Sequence, residues 1–133
     1  MKKFLLSEKF LAGFVCVIAL AEIITWNTAW RLEYPIIDNV LHFLGGAWVS
    51  LLFLHIFKNR RHFFDAEKNL FVTGMFMAGF TALIGVNWEF FEYLVGIAFN
   101  DPWIGSGAWG LDTLTDLFLD LLGAGTIALI LIF

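Results

Sequence analysis

Residues 70–99 read LFVTGMFMAGFTALIGVNWEFFEYLVGIAF, a run whose only charged members are Glu89 and Glu92. A helix rises about 1.5 Å per residue, so roughly twenty apolar residues cross a ~30 Å hydrocarbon core. This stretch exceeds that length and predicts a transmembrane helix that tilts or projects beyond the membrane. Three further apolar segments lie around it, at about 10–30, 36–57 and 112–133. The expectation is an all-α integral membrane four-helix bundle in which residues 1–133 form a single transmembrane domain. No internal repeat or low-complexity segment interrupts it.

Composition supports the same class. Of 133 residues, 60% are hydrophobic and 15% charged, and the mean hydropathy is +0.82. Soluble domains carry about a quarter of their residues as charges. The few Lys and Arg sit at segment ends, so there is no basic face for nucleic acid. Cys16, the single cysteine, excludes an intrachain disulfide and reads as a small buried hydrophobe. Met1-Lys2-Lys3 before an apolar run could open a signal peptide, but no small-residue cleavage pattern closes that run. Trp26, Trp30 and Arg31 instead suit an interfacial anchor, and the segment reads as a retained helix.

Basic residues orient the bundle. Lys2, Lys3 and Lys9 precede the first segment, and Lys58, Arg60, Arg61 and Lys68 lie between the second and third. Arg31 is the one basic residue on the other side. The positive-inside rule then makes both termini cytoplasmic. The Asn100–Leu111 loop, with Trp103 and Trp109, faces outward.

Within that topology the acids converge. Glu22, Glu89 and Glu92 come late in outward-running helices; Asp38, His42, Asp112 and Asp116 come early in inward-running ones. Asp38 and His42 are four residues apart, Glu89 and Glu92 three, and Asp112, Asp116 and Asp120 form a column at four-residue spacing. Gly45, Gly46, Gly85, Gly96, Gly123 and Ala124 share these faces, and small residues allow close helix approach. The faces therefore point into the bundle.

Asp38 and Asp112 could simply cap their helices or meet the favourable dipole end. Capping does not reach Asp116 or Asp120, which lies about 12 Å below Asp112. Glu89 and Glu92 approach a helix C-terminus, where the dipole opposes negative charge, so they call for a partner. His42 could be an interhelical hydrogen-bonding residue, but its pairing with Asp38 favours a functional one. His55 is expected at the cytoplasmic interface, His62 in the basic loop, and Glu22 beside Arg31 or at the cluster rim. Even on insertion scales an Asp at mid-helix costs roughly 2.5–3.5 kcal/mol. Seven carboxylates with only His42 and Arg31 as nearby cations must hold protons, meet water or bind a cation. Carboxylates with one imidazole suit a divalent metal ion: Mg, Mn, Fe or Zn. The expected metal ligands are Asp38, His42, Glu89, Glu92, Asp112 and Asp116.

The same residues carry a family resemblance. Asp38-Asn39-Val40-Leu41-His42-Phe43, then Glu89-Phe90-Phe91-Glu92-Tyr93, then Asp112-Thr113-x-x-Asp116 with Gly123-Ala124 beyond, resemble the YjdF-like family of bacterial membrane proteins. The ordered triple spans residues 38 to 124 and nominates the same six polar residues; Asp120 and Glu22 stand outside it. The VanZ-like proteins share a looser version, without their usual Gln and Arg-Ser elements here. The YjdF-like resemblance implies the plasma (inner) membrane of a prokaryote and no particular reaction.

Three functions compete. One is a metal-dependent, membrane-embedded hydrolase or transferase acting on lipid or lipid-linked envelope substrates. In it Glu89 and Asp116 are the catalytic pair and Arg31 meets an anionic head group. Another is an ion- or proton-coupled transporter using the carboxylates as relays. Four short helices give that mechanism room only as a homo-oligomer. The third is a cluster that holds the helices together without catalysis.

Overall fold

The computed structural model describes residues 2–28, 33–57, 69–101, 104 and 108–131, and all regular structure among them is helical. A single turn, α1 (Lys2–Leu5), precedes four long helices: α2 (Glu8–Asn27), α3 (Pro35–Phe57), α4 (Leu70–Ala98) and α5 (Trp109–Leu131). All four are long and apolar enough to cross a membrane. The second and third predicted segments coincide with α3 and α4 to within a residue at each end.

The other two segments differ in instructive ways. α2 begins at Glu8 because the Ser7 hydroxyl accepts a hydrogen bond from the Phe10 backbone N–H, an N-cap the apolar pattern alone does not show. It ends at Asn27, where Thr28 turns to extended backbone. α5 begins three residues before Asp112, with the Ala108 carbonyl accepting from the N–H groups of Leu111 and Asp112. Asp38 and Asp112 therefore sit inside the first turns of α3 and α5, near the dipole end, rather than at the N-cap position.

α4 stops in a Schellman arrangement. Asn100 adopts a left-handed conformation (φ 53°), the Asp101 N–H bonds the Gly96 carbonyl at 2.8 Å and the Asn100 N–H bonds Ile97 at 3.2 Å. Asn tolerates this backbone, and Pro102 follows in the sequence, so the helix cannot continue. Ile104 then folds back over Gly96, where any Cβ would collide with it. That turn brings the chain from the end of α4 to the start of α5, so Glu92 and Asp112 come from the same end of the bundle.

α3 is central and packs on α2, α4 and α5, most extensively on α5. The cause is glycine. A Cβ on Gly46 would collide with the Asp120 carbonyl, and one on Gly123 would collide with the Phe43 carbonyl and the Ala47 amide. The two backbones are thus in direct contact, the close approach that small residues permit between membrane helices. α2 is peripheral, with only Leu11 and Thr25 buried along it. It is tied on by the Trp48 indole N–H donating to the Leu11 carbonyl at 2.8 Å and by the Trp26–Phe91 ring stack. Cys16 lies on its exposed surface, not buried as expected, because α2 offers the bundle only a narrow edge.

Candidate metal centre

Inner faces of the three packed helices repeat every three or four residues. α3 buries Asp38, His42, Gly46, Ser50 and Leu54; α4 buries Glu92, Glu89, Gly85, Thr81, Met77 and Thr73; α5 buries Asp116, Asp120, Ala124 and Ala128. Each step of four residues descends about 6 Å. The upper layers are polar, and the lower ones become apolar below the Ser50–Thr81 pair.

His42 occupies the middle of the polar part. Its Nε2 lies 3.9 Å from Glu89 Oε1 and 3.9 Å from Asp116 Oδ2, while Nδ1 lies 3.5 Å from Asp120 Oδ1. Asp38, His42 and Asp116 place one ligand atom each within 4.8 Å of the others, and so do His42, Glu89 and Glu92. All five residues are buried. Asp112 is half-buried at the rim, one turn above Asp116 and within its electrostatic reach. Thr113 donates its hydroxyl to Glu89 Oε2 at 2.7 Å, clamping that carboxylate from α5.

Two atoms in this group decide what it can do. Neither His42 Nε2 nor Asp116 Oδ1 makes a hydrogen bond, although His42 is only 5% and Asp116 only 1% exposed. Buried polar atoms are nearly always bonded, so these two call for a further group such as a water or an ion. The 3.9 Å separations are too long for hydrogen bonds. They do match two ligands of one ion, since bonds of about 2.0–2.2 Å set ligand atoms up to about 4.4 Å apart. Imidazole nitrogen and carboxylate oxygen converging from three helices can hold a divalent cation.

Five of the six expected ligands thus come together, with Asp112 at the margin. Arg31 lies outside the described residues, as do Trp30, His62, Trp103 and the basic residues of the 58–68 loop. Glu22 is half-buried on α2 and belongs to neither triad. Asp120 and Thr113 are the site residues that the pattern of ligands did not include. Asp120 was visible as the third member of the aspartate column, and Thr113 as the Thr of the D-T-x-x-D motif.

The model of the DUF2238 family, described as a predicted membrane protein, matches residues 5–133. The chain belongs to this family. DUF2238 is the YjdF family, so the three motifs identified in the sequence lie in their expected family; the match gives no support to the VanZ-like likeness. No curated protein and no solved structure matches the chain.

Proposed function

We propose that the cluster is a divalent-metal site and that the protein is a metal-dependent, membrane-embedded hydrolase or transferase acting on lipid or lipid-linked envelope substrates. The observation that carries the metal is the unbonded, buried His42 Nε2, which faces Glu89 Oε1 and Asp116 Oδ2 at ligand separations, with a second unbonded atom, Asp116 Oδ1, on the same carboxylate. His42, Asp116, Asp38 and Glu92 would hold the ion, with Asp112 at the entrance and Glu89 Oε1 beside the ion. A bound divalent ion supplies an activated water and polarises an ester or phosphoryl oxygen.

Around that ion the protein's own groups divide the work. Thr113 fixes one Glu89 oxygen and leaves the other toward the centre, the posture of a general base. Glu89 would take a proton from the attacking water or alcohol as its oxygen bonds to the acyl carbon or phosphorus. The bond to the leaving oxygen breaks, and the proton returns to that oxygen. Residues 1–133 act as one domain in this reading. Oriented by the positive-inside rule in a prokaryotic plasma membrane, the acidic end would face the outer leaflet, where Arg31 would meet an anionic head group.

The opposite half of the bundle favours this reading over a relay transporter. Among the described residues, no Asp, Glu, Lys or Arg is buried below Asp120. Ser50 and Thr81 satisfy each other at 3.1 Å, and Thr73 bonds back to the Asn69 carbonyl. Leu51 and Met77, each 1% exposed, seal the interior beyond them.

The test is conversion of vesicle lipids by reconstituted protein loaded with Zn²⁺ or Mn²⁺, using phospholipid and polyprenyl diphosphate as separate substrates. Fatty-acid or phosphate release that stops with EDTA and with Glu89→Gln supports the proposal. Stoichiometric ion binding whose removal unfolds the bundle, without conversion of either substrate, would make the site structural. Ion flux abolished by Glu89→Gln and Asp116→Asn would favour transport instead.

A further inference from the structure

Asp120 stands outside the polar set of the motif triple, yet it is buried against the one imidazole of the cluster. We infer that Asp120 is a positioning residue that makes His42 a nitrogen ligand through Nε2, biasing the centre toward Fe and Zn over Mg and Ca. This rests on the reading of the cluster as a divalent-ion site.

The geometry separates the two ring nitrogens. Nδ1 faces Asp120 Oδ1 at 3.5 Å, and Nε2 faces Glu89 and Asp116. A neutral imidazole carries one N–H and one lone pair. A carboxylate behind Nδ1 accepts that N–H, so the lone pair resides on Nε2 and points at the open position. Metal-bound histidines almost always have such a partner, which fixes the ring and strengthens it as a donor.

The Asp120 seat is built for this carboxylate. A Cβ on Gly85 would collide with Asp120 Oδ2, and a Cβ on Gly46 would collide with the Asp120 carbonyl. Gly45 would bring a Cβ within 3.9 Å of Oδ1. Gly85 on α4 thus clears a notch for the Asp120 carboxylate, while Gly46 on α3 lets the backbone that carries Asp120 approach the helix of His42. Selectivity follows from donor chemistry: oxygen-only sites suit Mg, Ca and Mn, whereas an imidazole donor draws the site toward Fe and Zn.

The experiment uses the full-length protein in detergent micelles and measures binding of Zn²⁺, Mn²⁺ and Mg²⁺ by equilibrium dialysis. Nitrogen coupling to bound Mn²⁺ is recorded in parallel by pulsed EPR. Wild type is expected to prefer Zn²⁺ to Mg²⁺ and to show imidazole nitrogen coupling to bound Mn²⁺ that His42→Gln removes. Asp120→Ala should weaken Zn²⁺ by about 10- to 100-fold, leave Mg²⁺ nearly unchanged and reduce the nitrogen coupling. Asp120→Asn, which keeps an acceptor, should recover much of the coupling. Gly85→Ala keeps every carboxylate but displaces that of Asp120, and should shift Zn²⁺ in the same direction. It carries the test if Asp120→Ala does not fold. Equal weakening of Zn²⁺ and Mg²⁺, or unchanged Zn²⁺ affinity with intact coupling, would overturn the role of Asp120 alone. A wild-type protein that binds none of the three ions would remove the metal site and this inference together.

Discussion

At the acidic end, α3, α4 and α5 meet through Asp38, His42, Glu89, Glu92 and Asp116; farther along, the same inner faces carry Leu54, Met77, Ala128 and Leu131. The repeat of buried positions does not change between the two regions. What changes is how the helices touch. Gly46, Gly85 and Gly123 bring backbone and carboxylate into contact around the site, whereas Leu51, Phe53 and Met77 fill the opposite half with side chains. In lipid, apolar contacts gain little from leaving water, so close packing and polar bonds do most of the holding. One end therefore derives its stability from ordinary packing. The other supports a polar centre that close backbone contact keeps compact.

That contrast can be broken most severely at the ligands. His42→Gln or Asp116→Asn should lower ion affinity by more than about 100-fold, beyond the loss typical of outer-shell partners. Both should leave the helix content of the ion-free protein intact, as circular dichroism would show. Gly123→Val attacks the packing instead. Its side chain meets the Phe43 carbonyl and the Ala47 amide, which cannot move aside, so destabilisation of about 2 kcal/mol is expected in detergent unfolding. Ion binding should fall with it as α3 and α5 separate.

Smaller changes sharpen the boundary between the regions. Thr113→Val removes the clamp on Glu89 Oε2 and should cost about 1 kcal/mol, read as roughly 5-fold weaker ion binding. Ser50→Ala lies a turn beyond the polar centre, where it loses only its bond to Thr81. It should cost about 0.6 kcal/mol of unfolding free energy and leave ion affinity unchanged. An affinity loss there would extend the functional region into the half described as a seal.

Much of this was legible in the chain. Hydropathy located four spans because a membrane helix must satisfy its own backbone along its whole apolar length. The gathering of Asp38, His42, Glu89, Glu92 and Asp116 followed from helix direction and from spacings of three and four. Asp120 was harder. Its partner is on α3 and its clearance comes from Gly85 on α4, relations that no single helix pattern contains. The Ser50–Thr81 pair was hidden likewise, since each hydroxyl alone reads as a minor interruption of an apolar run. The peripheral place of α2 was also illegible: its apolar residues would serve equally well against lipid or protein, and Cys16 shows which they meet.

The most direct test of the central claim is the metal content of purified wild-type and Asp116→Asn protein after exposure to Zn²⁺ or Mn²⁺ and exhaustive dialysis. Elemental analysis would be paired with a circular-dichroism check that both remain helical. Stoichiometric retention by the wild type and its loss in Asp116→Asn is the predicted result. Helical wild-type protein that retains no ion, or equal retention by both proteins, would contradict it.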